Sequence, residues 1–181
     1  MKEELLISGF GGQGVLSIGK LLAYAGMMEG KQVSWLPSYG PEQRGGTSNV
    51  TVIVSDTPIS SPVLSTYRTA ILLNQPSLER FTPSIREGGV LIYDTYSVIC
   101  PPERADISIY QINAMDAAAN LHNIKTFNMF ILGGLLSVRP VVKIDNVVKA
   151  LYKTLPERHH DLIPQNEAAL RQGMEIIKKI Q

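Results

Sequence analysis

The chain has 181 residues, enough for one α/β domain with its own hydrophobic core, and we treat residues 1–181 as a single domain. Hydrophobic residues make up 44% and charged residues 18%, which is typical of a folded globular protein and excludes a disordered one. The formal net charge of +1 predicts neither a nucleic-acid partner nor binding to an acidic membrane surface. The single cysteine, Cys100, cannot form a disulfide within the chain or a cysteine-based metal site, so a reducing compartment is expected.

The hydrophobic stretches are too short for a membrane protein. The N-terminal residues lead directly into a strand-like run, without the long apolar region of a signal peptide. The longest apolar stretch, residues 129–138, is shorter than the roughly 20 residues that a membrane-spanning helix needs. We therefore expect a cytoplasmic protein that does not contact a membrane.

Short apolar runs alternate with longer helical segments along the chain. The predicted strands cover residues 4–8, 32–35, 50–55, 70–74, 90–94 and 106–112. The predicted helices cover residues 14–29, 77–85, 114–122, 128–138, 143–154 and 164–179. This alternation predicts an α/β fold, a three-layer Rossmann-like domain with a mainly parallel sheet. Two long polar loops are predicted at residues 37–47 and 57–66.

The stretch GFGGQG, residues 9–14, connects the first predicted strand to the first predicted helix. Its glycines Gly9, Gly11 and Gly14 match the pattern G-x-G-x-x-G, with Gly12 and Gln13 between them. Glycines at such a turn bring a ligand close to the start of a helix, where free N–H groups favour an anion. A phosphate or carboxylate site is therefore one interpretation, and a turn needed only for helix–strand packing is the other.

Two kinds of nucleotide site use a glycine-rich turn of this type, and the sequence lacks the further residues that each of them needs. A dinucleotide site needs an acidic residue near the end of the second strand, but residues 34–37 read SWLP and Glu29 lies before that strand. A phosphate-binding loop of the NTPase type needs a lysine and a hydroxyl after Gly14, where the chain has valine and leucine. NAD(P) and NTP binding are therefore disfavoured.

A second glycine-rich stretch, WLPSYGPEQRGGTSNV at residues 35–50, follows the second predicted strand. In a parallel sheet it would leave from the same carboxyl edge as the GFGGQG stretch, where open α/β folds bind ligands. The guanidinium of Arg44 can hold a phosphate or carboxylate in a forked geometry. The alternative is a packed turn in which Arg44 pairs with Glu42, an interaction worth little when exposed. The candidate residues of this stretch are Tyr39, Arg44, Gly45, Gly46 and Thr47.

Together these stretches resemble a known family. GFGGQGV, SYGPEQRGGTSNVTVIVSD and SPVLS are similar to the gamma subunit of 2-oxoacid:ferredoxin oxidoreductases, a domain that is fused within single-chain pyruvate:ferredoxin oxidoreductases. The SYGPE-x-RGGT form looks closest to the 2-oxoglutarate branch, and the pyruvate and indolepyruvate branches remain alternatives. The resemblance implies the fold of domain III of the pyruvate enzyme.

The resemblance also implies cofactors and partners for a complex. Such complexes decarboxylate a 2-oxoacid on thiamine diphosphate with Mg, pass electrons through iron–sulfur clusters to ferredoxin, and release an acyl-CoA. The implied partners are alpha and beta subunits and a ferredoxin-like subunit, with a homodimer as an option for the isolated chain. We expect this chain to hold no cofactor or catalytic residue itself, and its glycine loops to meet CoA or a partner subunit.

The residues themselves agree with an accessory role. A cluster needs several cysteine thiolates, and Cys100 is better explained as an inert thiol because no base is evident beside it. A Gly-Asp-Gly motif for thiamine diphosphate is absent from the sequence. His159 and His160 are adjacent in sequence and point apart, so we expect a solvated loop and no metal. A stand-alone nucleotide-binding enzyme and a scaffold without ligand stay open as alternatives.

Overall fold

The computed structural model describes residues 1–39 and 47–181, and within them seven strands form one mixed sheet. In chain order the strands are β1 (Lys2–Phe10), β2 (Gln32–Tyr39), β3 (Thr47–Ser55), β4 (Tyr67–Leu72), β5 (Ile85–Asp94), β6 (Ser108–Ile112) and β7 (Lys178–Lys179). Their order across the sheet is β2-β3-β1-β4-β5-β6-β7. The pairs β1–β4, β4–β5 and β5–β6 are parallel, whereas β3 is antiparallel to β1 and β2, and β7 is antiparallel to β6. Strands β1, β2, β4, β5 and β6 therefore run in one direction, which confirms the predicted α/β class and mainly parallel sheet.

Helices cover both faces of this sheet. They are α1 (Val15–Met28), α2 (Gln75–Phe81), α3 (Ala114–Asn120), α4 (Phe127–Val138), α5 (Ile144–Thr154) and α6 (Ile163–Ile176). All six correspond to predicted helices, with ends shifted by a few residues. None of the helices in the described ranges is long and apolar enough to cross a membrane.

Alternating side chains on β1 divide the core into two clusters. Leu5 and Ile7 belong to a large cluster with buried residues of α1, α3, α4, α5 and α6. Leu6 points to the opposite face and joins a smaller cluster with Leu78 of α2. Because successive strand side chains alternate between faces, apolar residues at every position require cover on both sides. The result is the predicted three-layer arrangement, with most helices on one face.

Helix α4 is the centre of the larger cluster, and its apolar sequence reflects burial in protein. Gly133 of α4 and Gly173 of α6 bring the two helix backbones into contact. A β-carbon at Gly133 would lie 1.9 Å from the carbonyl oxygen of Leu170, and one at Gly173 would lie 2.2 Å from that of Phe130. No side chain fits between them, so these glycines fix the α4–α6 crossing.

Several predicted boundaries and one predicted loop were wrong. Strand β2 continues through Pro37 to Tyr39, because β2 is the edge of the sheet and a proline is tolerated there. Helix α6 ends at Ile176, and the following residues form β7 because the edge of β6 offers unpaired backbone groups. The predicted solvated loop at His159 and His160 is a 3-10 helix, Glu157–Leu162.

Candidate functional site

The carboxyl edge of the sheet brings the two glycine-rich stretches together. Phe10, at the end of β1, pairs with Thr47 at the start of β3. Tyr39, at the end of β2, pairs with Ser48. The connection at residues 40–46 therefore leaves from the same edge as the GFGGQG loop, as the sequence predicted.

Part of the second stretch lies outside the described residues. Arg44, Gly45 and Gly46 fall there, as does Glu42, so the proposed roles of Arg44 stay predictions. Thr47 was predicted in a loop, but it is the first residue of β3, and its side chain is exposed. Tyr39 is likewise the last residue of β2 and not part of a loop.

The GFGGQG loop is a tight turn that depends on two glycines with positive φ. Gly12 has φ of +100° and Gly14 has φ of +75°, a region that side-chain-bearing residues rarely adopt. Gly14 is the N-cap of α1, and its carbonyl accepts the N–H of Ile18 at 3.0 Å. These backbone angles explain why the strand turns into the helix at this point.

Gly9 and Gly14 are also required by packing. A β-carbon at Gly9 would lie 2.6 Å from Gln13 Oε1 and 3.0 Å from Leu73 Cβ. A β-carbon at Gly14 would lie 2.7 Å from Asn128 Cβ. Close packing therefore explains two of the three glycines of the motif, which supports the packing interpretation for them.

Gly11 and Gly12 form the outer surface of the loop. Both are exposed, and a β-carbon added at Gly12 would meet no described atom within 4 Å. The backbone there is open to a large neighbour. This is the part of the loop at which a ligand or a partner subunit can approach closely.

Gln13 braces the loop from inside. Its Oε1 accepts the N–H of Phe10 at 2.6 Å, and its Nε2 donates to the carbonyl of Leu73 at 2.9 Å. Leu73 follows β4, so the amide ties the end of β1 to the end of the neighbouring strand. We predicted a contact with CoA or a subunit for this residue, and the structure shows that its amide already binds backbone groups.

The neighbouring strands β1 and β4 form the switch point of the sheet. The chain leaves β1 through α1 toward β2, and it leaves β4 through α2 toward β5, so the connections diverge. Ligands of open α/β sheets bind in the crevice at the carboxyl ends of such strands. The GFGGQG loop borders this crevice on one side, and the turn after β4 borders it on the other.

Asn74, in the turn after β4, was predicted as the end of a strand. It is instead the N-cap of α2, and its Oδ1 accepts the N–H of Ser77 at 2.8 Å. Ser77 Oγ lies 2.8 Å from Ser8 Oγ, which joins the same turn to β1. The Nδ2 of Asn74 is buried and has no hydrogen-bond partner among residues 1–39 and 47–181. The sequence did contain a signal for the start of this helix. Asn74 precedes Gln75 and Pro76, and an asparagine N-cap followed by a proline in the first turn begins many helices.

The sequence analysis also did not predict the structural role of Asp94 at this edge. It ends β5, is fully buried, and accepts the N–H groups of Ala114 at 2.9 Å and Met115 at 3.2 Å. Burial raises the pKa of Asp94 above its usual range, although these hydrogen bonds oppose that effect. Because these contacts are to the first turn of α3, Asp94 acts as a cap for that helix.

The structure removes the remaining support for a dinucleotide site. The antiparallel strand β3 separates β1 from β2, whereas dinucleotide folds place the strand with the ribose-binding acid beside the first one. Glu29 accepts the N–H of Lys143 at 2.5 Å and the Nδ2 of Asn146 at 3.1 Å, and it pairs with Lys31 at 3.0 Å. Burial alone would raise the pKa of Glu29, but these partners outweigh it, so the pKa lies below its usual range.

His160 and Cys100 contact neighbouring backbone and side-chain groups. His160 Nε2 lies 3.0 Å from the carbonyl of Leu155, and its ring contacts that of Tyr152 edge-on. Cys100 is exposed, and its N–H donates to Gln75 Oε1 at 3.2 Å. The described residues contain no group of three or more metal-ligating side chains.

Comparisons with known proteins identify relatives along the whole chain. The sequence model of the family described as pyruvate ferredoxin/flavodoxin oxidoreductase matches residues 4–176. The 2-oxoglutarate synthase subunit KorC of Methanocaldococcus jannaschii is 30% identical over 184 residues, covering 99% of this chain and 96% of that protein. The keto/oxoacid ferredoxin oxidoreductase gamma subunit of Geobacter sulfurreducens has a similar crystal structure, with a TM-score of 0.83 and 27% identity, covering 98% of this chain and 99% of that one.

A more similar segment belongs to a much longer protein. The ketoisovalerate oxidoreductase subunit VorA of Methanothermobacter marburgensis is 53% identical over 89 residues, which is 49% of this chain. That alignment covers 19% of VorA, so the chain spans about a fifth of that relative's length.

Proposed function

This chain belongs to the pyruvate ferredoxin/flavodoxin oxidoreductase family, and on that basis we propose that it is the gamma subunit of a multi-subunit 2-oxoacid:ferredoxin oxidoreductase. The observation that carries the proposal is the end-to-end match in length to KorC and to the Geobacter gamma subunit. The complex would oxidatively decarboxylate a 2-oxoacid with CoA, giving acyl-CoA and CO₂ and reducing ferredoxin. The chain would not be active alone.

The side chains of this chain indicate which cofactors the other subunits would hold. An iron–sulfur cluster needs several cysteine thiolates, and the sequence has only Cys100. The clusters, thiamine diphosphate and its Mg would therefore be held by the alpha, beta and ferredoxin-like subunits. This chain would contribute the carboxyl edge of its sheet to the assembled, cytoplasmic complex.

We infer a specific task for this edge. Gly11 and Gly12 leave their backbone open, and the connection at residues 40–46 carries Arg44 from the same edge. Free N–H groups at the start of α1 favour an anion, and a guanidinium binds phosphate or carboxylate through paired hydrogen bonds. The partner at this edge would be a CoA phosphate or a carboxylate of a neighbouring subunit.

The proposed 2-oxoacid is 2-oxoglutarate. KorC, a 2-oxoglutarate synthase subunit, aligns with nearly the whole chain, including both glycine-rich stretches. Ketoisovalerate is the second candidate, because VorA is more similar over half of the chain. Purified complex supplied with each acid, CoA and an oxidised ferredoxin decides between them, with turnover of 2-oxoglutarate expected to be the faster. Preferred turnover of ketoisovalerate would replace the first assignment with the second.

The subunit assignment is tested by co-expression with the neighbouring subunits, with and without this chain. We expect CoA-dependent reduction of ferredoxin only when the chain is present. Full activity without it would refute the proposal. The stand-alone nucleotide-binding alternative predicts a clear thermal shift of the isolated chain with NAD or FAD, since ligands that bind the native state raise its melting temperature.

The role of Arg44 is tested with Arg44→Ala in the assembled complex. We expect an increase of about tenfold in the apparent KM for CoA, or weaker assembly, from the loss of one charge-assisted contact. Arg171→Ala is the matched control, because Arg171 is exposed on α6 and pairs only with Glu167 in the described structure. Kinetics and assembly identical to the control would remove Arg44 from the site.

A further inference from the structure

The two edges of the described sheet differ in their protection against further strand pairing. One edge strand, β7, is only two residues long, and both residues are exposed lysines. Short strands and lysines are two of the devices by which proteins keep an edge from pairing with another chain. The other edge strand, β2, is eight residues long and contains no charged residue. Its one protective device is Pro37, near the carboxyl end, so most of β2 is open to a partner strand.

The hydrogen bonds of β3 show which residues of β2 face the rest of the sheet. The N–H of Asp56, directly after β3, donates to the carbonyl of Met1 at 2.9 Å, so the backbone of Asp56 faces β1. Because successive residues of a strand alternate in direction, the backbone of Ile53, three residues earlier, faces β2. Ile53 lies opposite Ser34, so the backbone groups of Ser34 are bonded to β3.

The residues on either side of Ser34 therefore present their backbone groups to the free edge. Val33 and Trp35 each point an N–H and a C=O outward, and no other strand among residues 1–39 and 47–181 pairs with them there. Pro37, two positions after Trp35, belongs to the same outward-facing set, which agrees with its lack of an N–H group. Val33 and Trp35 thus offer four hydrogen-bonding groups to a further strand.

Apolar side chains continue this edge onto helix α1. A β-carbon at Gly26 would lie 3.0 Å from Val33 Cγ2, and one at Gly19 would lie 3.1 Å from Trp35 Nε1. Both side chains therefore face α1. Trp35 is nevertheless 39% exposed, and Met27, the residue after Gly26, is 62% exposed. Apolar surface thus borders the free edge on the side of the sheet that α1 covers.

The geometry points to a second copy of this chain as the partner: we propose that β2 pairs with β2 of an identical chain and joins two sheets into one. A two-fold axis perpendicular to the sheet makes the two copies of the strand antiparallel. With the axis at Ser34, Val33 of one chain lies opposite Trp35 of the other on both sides of the axis, and each pair exchanges two hydrogen bonds. An axis at Trp35 or Leu36 would place Pro37 in a bonded pair with one donor missing, so the axis at Ser34 is favoured.

An identical chain also complements the side chains of this edge. The exposed part of Trp35 packs beside Val33 of the other copy, on the side of α1, and Leu36 lies opposite Gln32 on the other side. Since β2 contains no charged residue, no like charges meet along the paired strands. The axis lies in the first half of β2, so the GFGGQG loop stays accessible. The inference does not rest on the proposed function, because self-association is measured without the other subunits.

Sedimentation equilibrium of the full 181-residue chain tests the proposal. We expect a dimer, with twice the mass of one chain, at about 50 µM. Ser34→Lys should weaken dimerisation at least about tenfold, because it places two like charges opposite each other at the axis. Ser38→Lys is the matched control on the same face of β2, where Ser38 is exposed. Its two copies would be about 27 Å apart, well beyond the screening length of about 8 Å, so it should dimerise as the wild type does.

A charge exchange tests the position of the axis. Ser34→Glu alone should weaken dimerisation as Ser34→Lys does, and an equimolar mixture of the two variants should recover dimers, because opposite charges then face each other. Recovery would also show that both variants are folded. Equal dimerisation of Ser34→Lys and Ser38→Lys, or no recovery in the mixture, would overturn the proposal. So would a wild-type chain that is monomeric at about 50 µM, which would leave the edge to a different subunit.

Discussion

Replacing Gln13 with alanine tests whether one amide holds the GFGGQG loop against the sheet. The change removes two hydrogen bonds, from the N–H of Phe10 and to the carbonyl of Leu73. Each contributes about 0.5–1.5 kcal/mol net, so we expect the free energy of unfolding to fall by about 2 kcal/mol. With a urea dependence of about 2 kcal/mol per molar, the unfolding midpoint would fall by about 1 M.

The measurement is urea unfolding followed by circular dichroism, with Gln172→Ala as the control. Gln172 is an exposed glutamine on α6, so its replacement keeps the chemical change and omits the brace. A loss below about 0.5 kcal/mol for Gln13→Ala, the range of ordinary surface substitutions, would refute this explanation of Gln13.

The variant Gln13→Glu tests the hydrogen bond to Leu73 separately. The carboxylate can still accept from Phe10, but its other oxygen would face the carbonyl of Leu73, and two acceptors repel each other. That repulsion raises the pKa of the introduced carboxyl in the folded state, and protonation restores a donor. The deficit relative to wild type should therefore shrink as the pH falls through that raised pKa, and it should be smallest below about 4.3, the ordinary pKa of glutamate. A deficit independent of pH would contradict the contact with Leu73.

Two further predictions concern the loop and the helix layer. Gly14→Ala should destabilise the chain more than Gly12→Ala in thermal unfolding. Both substitutions cost about 1–2 kcal/mol because φ is positive, but only the β-carbon at position 14 would collide with Asn128. Equal losses of stability would contradict that contact. Glu29→Gln should lower the free energy of unfolding by about 1–2 kcal/mol at pH 7. It removes the carboxylate that accepts from the backbone N–H of Lys143 and pairs with the ammonium group of Lys31. Since the pKa of Glu29 is lowered in the folded state, its stabilisation is present above the pKa of the unfolded chain, about 4.3, and is lost as the pH falls through the folded pKa. The difference in melting temperature between Glu29→Gln and wild type should therefore be larger at pH 7 than at pH 3, and a difference that does not change with pH would refute this explanation.

Much of the fold could be predicted from local patterns. Apolar runs and helical periodicity gave the class of the fold and all six helices, because these patterns depend on neighbours within a few residues. The two glycine-rich stretches were correctly assigned to one sheet edge, because parallel strands place their carboxyl ends together. The end of α6 was wrong because pairing with β6, about 70 residues earlier, competed with helix propensity.

By itself, the amino-acid sequence determined where the GFGGQG turn lies and which family its motifs resemble, because glycine positions and residue identities are local properties of the chain. Only the tertiary structure decided what the individual residues contact. Gln13 reaches Leu73 across 60 positions, and Glu29 reaches Lys143 across 114. Asn128 packs behind Gly14, and β3 inserts between β1 and β2. Such contacts depend on how distant segments pack, and their geometry is fixed only when the whole core forms.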